Sequence, residues 1–144
     1  MTGDGRPAEF LLVQDDVAEE LFLRDVLETH SVVNRLHAVR DVPAACAYLD
    51  GAPPYRTPSI PDLILLDLNL PGRDGRAFLA RVRADAMTAG IPVVLLTDSP
   101  AAEQILRGQG LPVQGYVRKP VDFEALAEII RSQKALGFQV RRWN

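Results

Sequence analysis

Short apolar runs alternate along this chain with longer stretches in which apolar residues recur every three or four positions. The short runs predict strands, because a strand covered on both faces is apolar throughout, and the periodic stretches predict amphipathic helices. The predicted strands are 10–13, 35–39, 63–66, 91–96 and 114–118. The predicted helices begin near Asp16, Asp41, Asp74, Ser99 and Asp122.

Capping residues and apolar spacing define the predicted helices further. Asp16 is followed three residues later by Glu19, a pattern typical of a helix N-terminus. Ser99 before Pro100 is a second start signal, and Gly51 is a stop signal. The helical side chains predicted to face the core are Ala18, Leu21, Phe22, Val26, Ala44, Ala45, Tyr48, Leu49, Phe78, Leu79, Val82, Ile105, Leu106, Phe123, Leu126, Ala127 and Ile130.

Five strands that alternate with five helices predict one α/β domain. Parallel strands joined by right-handed helical crossovers give a doubly wound sheet with helices on both faces. The proline-rich segment 51–61 predicts an irregular connection. We expect residues 1–8 to be a flexible leader, 9–136 the folded domain and 137–144 a tail.

Composition narrows the possible functions only slightly. The 144 residues are 47% hydrophobic and 24% charged, which is ordinary for a soluble domain. A net charge of −3 and the lack of a basic run argue against a nucleic-acid surface. No apolar run is long enough to span a bilayer, and a lone Cys46 excludes an intrachain disulfide. We therefore expect a cytoplasmic protein that binds neither membrane nor nucleic acid.

Four polar residues come one or two positions after the ends of predicted strands: Asp15, Asp67, Thr97 and Lys119. Because parallel strands end at one edge of a sheet, these side chains are expected to share a rim. Carboxylates can hold Mg²⁺, while lysine and threonine can bind phosphoryl oxygens. A carboxylate beside Mg²⁺ can also act as a nucleophile. Each residue alone also fits an ordinary structural role, so the prediction of phosphate chemistry depends on their shared position.

The segments FLLVQDD, DLILLDLNLPGRDG, VVLLTDS and YVRKP resemble the receiver domain of two-component response regulators. The resemblance extends over roughly residues 9–136. It implies a flavodoxin-like sheet of order 2-1-3-4-5. It also implies that Asp67 accepts a phosphoryl group from the phosphohistidine of a sensor histidine kinase. Such a receiver catalyses its own phosphorylation and dephosphorylation but is otherwise a signalling protein rather than an enzyme.

The same resemblance implies roles for the neighbours of Asp67. Asp15, Asp67 and the backbone carbonyl of Asn69 would bind Mg²⁺. Thr97 and Lys119 would bind the phosphoryl oxygens. The aromatic residue Tyr116, three positions before the lysine, would change rotamer as Thr97 moves.

Finer features are similar to those of small regulators paired with phytochrome-type kinases. These features are the proline-rich segment, LLDLNLPGRDGR and the absence of an output domain from the sequence. They imply a light-sensing histidine kinase as the partner, and a homodimer formed through the last helices and strand. The tail residues Phe138, Val140 and Trp143 either pack back on the domain or contact a partner.

Two positions depart from the family pattern. Gln14 stands where receivers usually carry an acid, so it can hydrogen-bond a metal-bound water but adds no charge, which predicts weaker Mg²⁺ binding. Asp98 stands where a small residue is usual. It would either repel anionic phosphodonors and hydroxide or act only as a favourable charge at a helix start.

Two other functions are compatible with the sequence. A degenerate receiver could bind its partner without being phosphorylated, as Gln14 and Asp98 would allow. A haloacid-dehalogenase-like hydrolase could use Asp67 as its nucleophile, but Asn69 stands where that chemistry needs a second acid. His30 and His37 share no metal-ligand spacing, so each is expected to be a surface or hydrogen-bonded histidine.

Overall fold

Five strands and five helices alternate in the computed structural model, which describes residues 8–29, 34–68, 74–108, 113, 115–119 and 123–131. The strands are β1 (Ala8–Val13), β2 (Asn34–Val39), β3 (Leu63–Asp67), β4 (Val93–Thr97) and β5 (Gly115–Arg118). The helices are α1 (Val17–Thr29), α2 (Val42–Asp50), α3 (Asp74–Ala84), α4 (Pro100–Gly108) and α5 (Phe123–Arg131). The predicted alternation is confirmed. The fourth strand begins two residues later than predicted, and residue 114, where the fifth strand was predicted to begin, lies outside the described residues.

All five strands run parallel in one sheet, in the order β2-β1-β3-β4-β5. This order confirms the predicted flavodoxin-like topology. Every residue of β3 and of β4 is buried, as expected of strands covered on both faces. The strand order reverses its direction between β1 and β3, and folds of this kind bind ligands in the crevice at the carboxyl ends of the strands at such a point. Polar residues at the carboxyl ends of β1, β3 and β4 therefore flank this crevice.

The two faces of the sheet carry separate cores, because successive side chains of a strand point to opposite sides. In one core, side chains of the sheet pack against α1 and α5, and its members include Phe10, Leu12, Leu23, Leu27, Leu63, Leu65, Val94, Leu96, Val117 and Leu126. In the other core, side chains of the sheet pack against α2 and α3, and its members include Leu11, Val13, Leu49, Ile64, Leu66, Phe78, Leu79 and Val82. Within the described residues, no helix is both long enough and apolar enough to cross a membrane.

The predicted inward face of α1 is wrong for Ala18, Leu21 and Phe22, which are exposed, and confirmed for Val26, which packs on the core. Leu21 and Phe22 are 59% and 43% exposed, whereas Leu23 and Leu27 are buried and Val26 packs against them. The reason is that α1 carries apolar residues on most of its circumference, so two stripes satisfy the helical period. Packing against the sheet, which the local sequence does not encode, selects the stripe that contains Leu23 and Leu27.

Both predicted boundaries of α2 are confirmed. The Asp41 carboxylate accepts a hydrogen bond from the Ala44 N–H at 2.8 Å. Gly51 ends the helix with a φ of 72°, and a Cβ there would lie 2.4 Å from the backbone of Thr57 and Pro58. A side chain at position 51 therefore has no room, and glycine is required at this turn.

Three aromatic rings hold the proline-rich connection against β2: His37 of β2, Tyr48 of α2 and Tyr55 of the connection itself. His37 stacks on Tyr48 at 4.4 Å between ring centroids, and its Nε2 atom lies 2.7 Å from the Tyr55 hydroxyl. The expectation of a hydrogen-bonded histidine is thus confirmed for His37. Ala8, predicted to be the last residue of the leader 1–8, is instead the first residue of β1 and pairs with Asn34. His30, residues 1–7 and the tail with Phe138, Val140 and Trp143 lie outside the described residues.

We expect His37 to make the stability of the protein pH-dependent. Burial, together with the nearby Arg24 charge, holds the pKa of His37 below its ordinary value of 6.5. The unfolded chain therefore binds the proton more readily, and the free energy of unfolding should fall as the pH drops below 6.5. Urea unfolding at pH 7.5 and 5.5 should show a smaller loss in His37→Gln than in wild type. An equal loss in both proteins would contradict this assignment.

Candidate functional site

The rim of the sheet is centred on Asp67, the last residue of β3, which is 1% exposed. The β1–β3 register pairs Val13 with Leu66, so the next residues, Gln14 and Asp67, are neighbours across the strands. On the other side, β4 ends at Thr97, which pairs with Arg118 in β5 just before Lys119. The strand ends therefore converge as the sequence predicts.

Lys119 contacts Asp67 directly. The ammonium Nζ lies 2.8 Å from Asp67 Oδ2, and the lysine side chain is only 9% exposed. The backbone N–H of Lys119 donates to the Thr97 carbonyl at 3.0 Å, which continues the β4–β5 pairing and aims the lysine at the centre of the rim. Asp67 and Lys119 thus form a nearly buried ion pair.

Thr97 is buried at the same rim, but its hydroxyl is bonded to Ser99. The Oγ1 atom accepts from the Ser99 N–H at 2.9 Å and donates to the Ser99 carbonyl at 3.3 Å. The second bond is long for an O–H donor and therefore weak. The hydroxyl proton can thus be redirected to another acceptor at small cost. Asp98, between these two residues, is exposed, and its effect on phosphodonors stays a prediction.

The structure adds Glu19, a site residue that the sequence analysis missed. Its Oε1 atom lies 2.9 Å from Lys119 Nζ. The predicted cap is confirmed, because the Asp16 carboxylate accepts from the Ala18 N–H at 2.8 Å and from the Glu19 N–H at 3.4 Å. The Glu19 side chain nevertheless extends to the lysine. The only sequence signal was an acid in the first turn of a helix that starts at the rim.

These two carboxylates keep Lys119 charged. Burial is the largest single influence and lowers the pKa of Lys119. Hydrogen bonds to Asp67 and Glu19, together with their negative charges, outweigh it and raise the pKa above the ordinary 10.5. The rim therefore presents a fixed cation at neutral pH.

The oxygen atoms beside Asp67 suit a hard divalent cation. Gln14 is 5% exposed, and its Oε1 atom accepts no hydrogen bond from any described residue. The exposed Asp15 follows it, so two carboxylates and one buried amide oxygen occupy adjacent strand ends. These are the ligand types that Mg²⁺ and Mn²⁺ prefer. No three His, Cys, Asp or Glu residues cluster as a metal site in the described part of the chain, and Asn69 lies outside it.

Tyr116 lies on β5, half-buried beside α4. The Arg107 guanidinium lies 4.2 Å from the centroid of its ring, and Glu103 accepts a hydrogen bond from Arg107 Nε at 2.9 Å. The β4–β5 register pairs Tyr116 with Leu95, two residues before Thr97, so the tyrosine and the threonine lie on the same face. The structure thus places the ring against an arginine of α4 and on the same face of the sheet as Thr97.

A parallel sheet of order 2-1-3-4-5 with a carboxylate–lysine pair at its rim is the arrangement that the resemblance to receivers implies. Residues 10–131 match the family described as response regulator receiver domain, and the chain belongs to this family. The resemblance to receivers is thereby confirmed, and the hydrolase alternative is left without support. Response regulators of this kind are signalling proteins.

The chain is similar to three response regulators, two of which carry names that refer to phytochromes. Response regulator Rcp1 of Synechocystis is 35% identical over 125 residues, which cover 87% of this chain and 85% of Rcp1. The solved bacteriophytochrome response regulator AtBRR has a TM-score of 0.82 at 31% identity and covers 96% of this chain and 99% of its own. The phosphorylated cyanobacterial phytochrome response regulator RcpA has a TM-score of 0.71 at 36% identity. The match covers 88% of this chain and 90% of RcpA. The Mn²⁺-bound form of Rcp1 has a TM-score of 0.72 at 32% identity. The match covers 96% of this chain and 99% of Rcp1.

Proposed function

We propose that this receiver accepts a phosphoryl group on Asp67 from a sensor histidine kinase, with Mg²⁺ as cofactor. The observation that carries the proposal is the 2.8 Å contact between the Lys119 ammonium and Asp67 Oδ2, two side chains that are 9% and 2% exposed. A carboxylate in this position is fixed in orientation and has a cation beside it for the charge of an incoming phosphoryl group.

In the proposed transfer, a carboxylate oxygen of Asp67 attacks the phosphorus of a phosphohistidine. A P–O bond forms, the P–N bond breaks, and the imidazole leaves with the electron pair. Asp15, Asp67 and the Asn69 carbonyl would hold Mg²⁺, and Gln14 would hydrogen-bond a water bound to the metal. The bound cation would neutralise part of the phosphoryl charge. The Lys119 ammonium moves from the carboxylate to a phosphoryl oxygen.

Thr97 and Tyr116 form the proposed switch. The Thr97 hydroxyl would exchange its weak bond to the Ser99 carbonyl for a bond to a phosphoryl oxygen, which draws the start of α4 toward the rim. Tyr116 would then change its position under Arg107, because the arginine belongs to α4. Phosphorylation is thereby linked to the α4–β5 surface. The same reactive group would later release phosphate by hydrolysis.

The partner that we propose is a phytochrome-type kinase. This is supported by AtBRR and RcpA, whose names refer to a bacteriophytochrome and to a cyanobacterial phytochrome. A divalent cation is supported by the Mn²⁺-bound form of Rcp1. A homodimer formed through the last helices and strand, and a cytoplasmic location, are proposed from the family resemblance alone. Sedimentation of the purified protein would test the dimer.

The alternative of a phosphorylation-independent binding module gains no support from the site. A degenerate rim would be expected to lose the acid or the lysine, yet Asp67 and Lys119 are both present and in contact. The two departures, Gln14 and Asp98, change the charge around the pair and leave the pair itself intact.

Incubation with acetyl phosphate and Mg²⁺ tests the proposal. We expect an acid-stable, base-labile phosphoprotein in wild type and none in Asp67→Asn, because an amide cannot form an acyl phosphate. Asp25→Asn, which removes an exposed carboxylate from α1, is the matched control and should be labelled like wild type. Absence of any adduct in wild type would instead favour the binding module.

A further inference from the structure

The Lys119 ammonium is shared between two carboxylates that lie on different elements. It lies 2.8 Å from Asp67 Oδ2 at the end of β3 and 2.9 Å from Glu19 Oε1 in the first turn of α1. Lys119 is 9% exposed and Glu19 is 34% exposed, so this second contact lies on the solvent side of the rim. The proposed phosphorylation chemistry gives a role to Asp67 and Lys119 but none to Glu19.

Local structure holds Glu19 in this place. Its N–H is bonded to the Asp16 carboxylate, which fixes the first turn of α1 directly after the end of β1. In the usual capping box, the acid at this position folds back onto the backbone of the cap residue. Here the carboxylate reaches the ammonium instead, across 100 positions of sequence. Whether it folds back or reaches Lys119, the Glu19 carboxylate stays in the first turn of α1, where the helix dipole favours a negative charge.

We propose that Glu19 is a positioning residue of the phosphorylation site, which holds Lys119 and competes with the phosphoryl group for its charge. This inference rests on the proposed function. A phosphoryl group on Asp67 adds close to two negative charges beside a lysine that Glu19 already binds. Lys119 can then neutralise the phosphoryl group fully only if its contact with Glu19 loosens. Glu19 therefore favours the unphosphorylated state of the rim.

The consequence is a measurable penalty on anion binding. Two like charges a few ångströms apart at a partly exposed site repel by an amount that corresponds to roughly a three- to tenfold change in affinity. Glu19→Gln keeps the length of the side chain and an oxygen that can accept from Lys119, but it removes the charge. A purely structural role for Glu19 would predict an unchanged or weaker affinity in this variant.

Beryllofluoride, which mimics a phosphoryl group on a carboxylate, is the probe. Titration of the full chain in saturating Mg²⁺, followed by ¹⁹F NMR, should show about three- to tenfold tighter binding to Glu19→Gln than to wild type. Glu20→Gln is the matched control, because it removes the same charge one residue away, where the carboxylate pairs with the exposed Arg24 at 3.0 Å. This control should bind within twofold of wild type, since its carboxylate does not contact Lys119.

A second pair of variants tests whether Glu19 acts through Lys119. In a Lys119→Met background the Glu19 carboxylate has no anchor at the rim, so Glu19→Gln should change beryllofluoride affinity no more than Glu20→Gln does. Equal affinities of wild type and Glu19→Gln would overturn this inference and leave the proposed function intact. If wild type bound no beryllofluoride at all, both the proposed function and the inference built on it would be contradicted.

Discussion

Replacement of Lys119 by methionine is expected to slow phosphorylation by acetyl phosphate at least about 100-fold, the usual cost of losing one preorganised charge-stabilising donor. Methionine keeps most of the length and apolar stem of lysine, so the buried volume beside Asp67 is filled. The ammonium that lies 2.8 Å from Asp67 Oδ2 is removed, and with it the cation that receives the phosphoryl charge. The initial rate of formation of the base-labile adduct measures the effect.

Lys134→Met is the control for this experiment, since Lys134 is the other lysine of the sequence. It should be phosphorylated at the wild-type rate. Lys119→Arg keeps the charge in a larger, planar group, and we expect it to be slow as well, because Lys119 is nearly buried and has little room around Nζ. A Lys119→Met rate within threefold of the Lys134→Met rate would contradict the assigned role.

Substitution of Gln14 by glutamate is expected to tighten Mg²⁺ or Mn²⁺ binding about tenfold. The buried Gln14 side chain lies next to Asp67 across β1 and β3, and its Oε1 atom has no partner among the described residues. A carboxylate there would add a full charge within a few ångströms of a divalent cation, and one charge at such a distance changes an affinity by roughly this factor. Titration of Mn²⁺ followed by electron paramagnetic resonance measures free metal directly.

Gln104→Glu provides the matched comparison, because it introduces the same charge on an exposed position of α4. Its metal affinity should equal that of wild type. If Gln14→Glu bound Mn²⁺ no more tightly than Gln104→Glu, the amide oxygen of Gln14 would not face the metal, and the interpretation of its unpaired oxygen would be wrong.

The grouping of polar residues at the strand ends could be predicted because it depends only on the parallel arrangement of the strands. Asp67, Thr97 and Lys119 each follow an apolar run, and parallel strands bring their carboxyl ends to one edge whatever the helices do. The sheet order and the Asp67–Lys119 contact therefore follow from the pattern of the chain together with the family resemblance. Asn69 was predicted in the same way and lies outside the described residues.

The contacts that the sequence did not reveal depend on how the elements pack. On α1 two apolar stripes were possible, and contact with the sheet selected Leu23 and Leu27 over Leu21 and Phe22. That choice sets the rotation of the helix, which in turn directs Glu19 toward Lys119. Local capping rules explain the backbone at Glu19 but give no information on a partner so distant in sequence. The bond of Thr97 to Ser99 was hidden for a different reason, since it depends on a rotamer.

Reductive trapping with borohydride tests the central claim most directly, because it converts an aspartyl phosphate into homoserine at the modified position. After treatment with acetyl phosphate and Mg²⁺, peptide mass spectrometry should find homoserine at position 67 and unmodified aspartate at Asp15 and Asp16. Omission of the phosphodonor should leave Asp67 unchanged. Homoserine at another aspartate, or at none in protein that carries the base-labile adduct, would contradict the claim that Asp67 accepts the phosphoryl group.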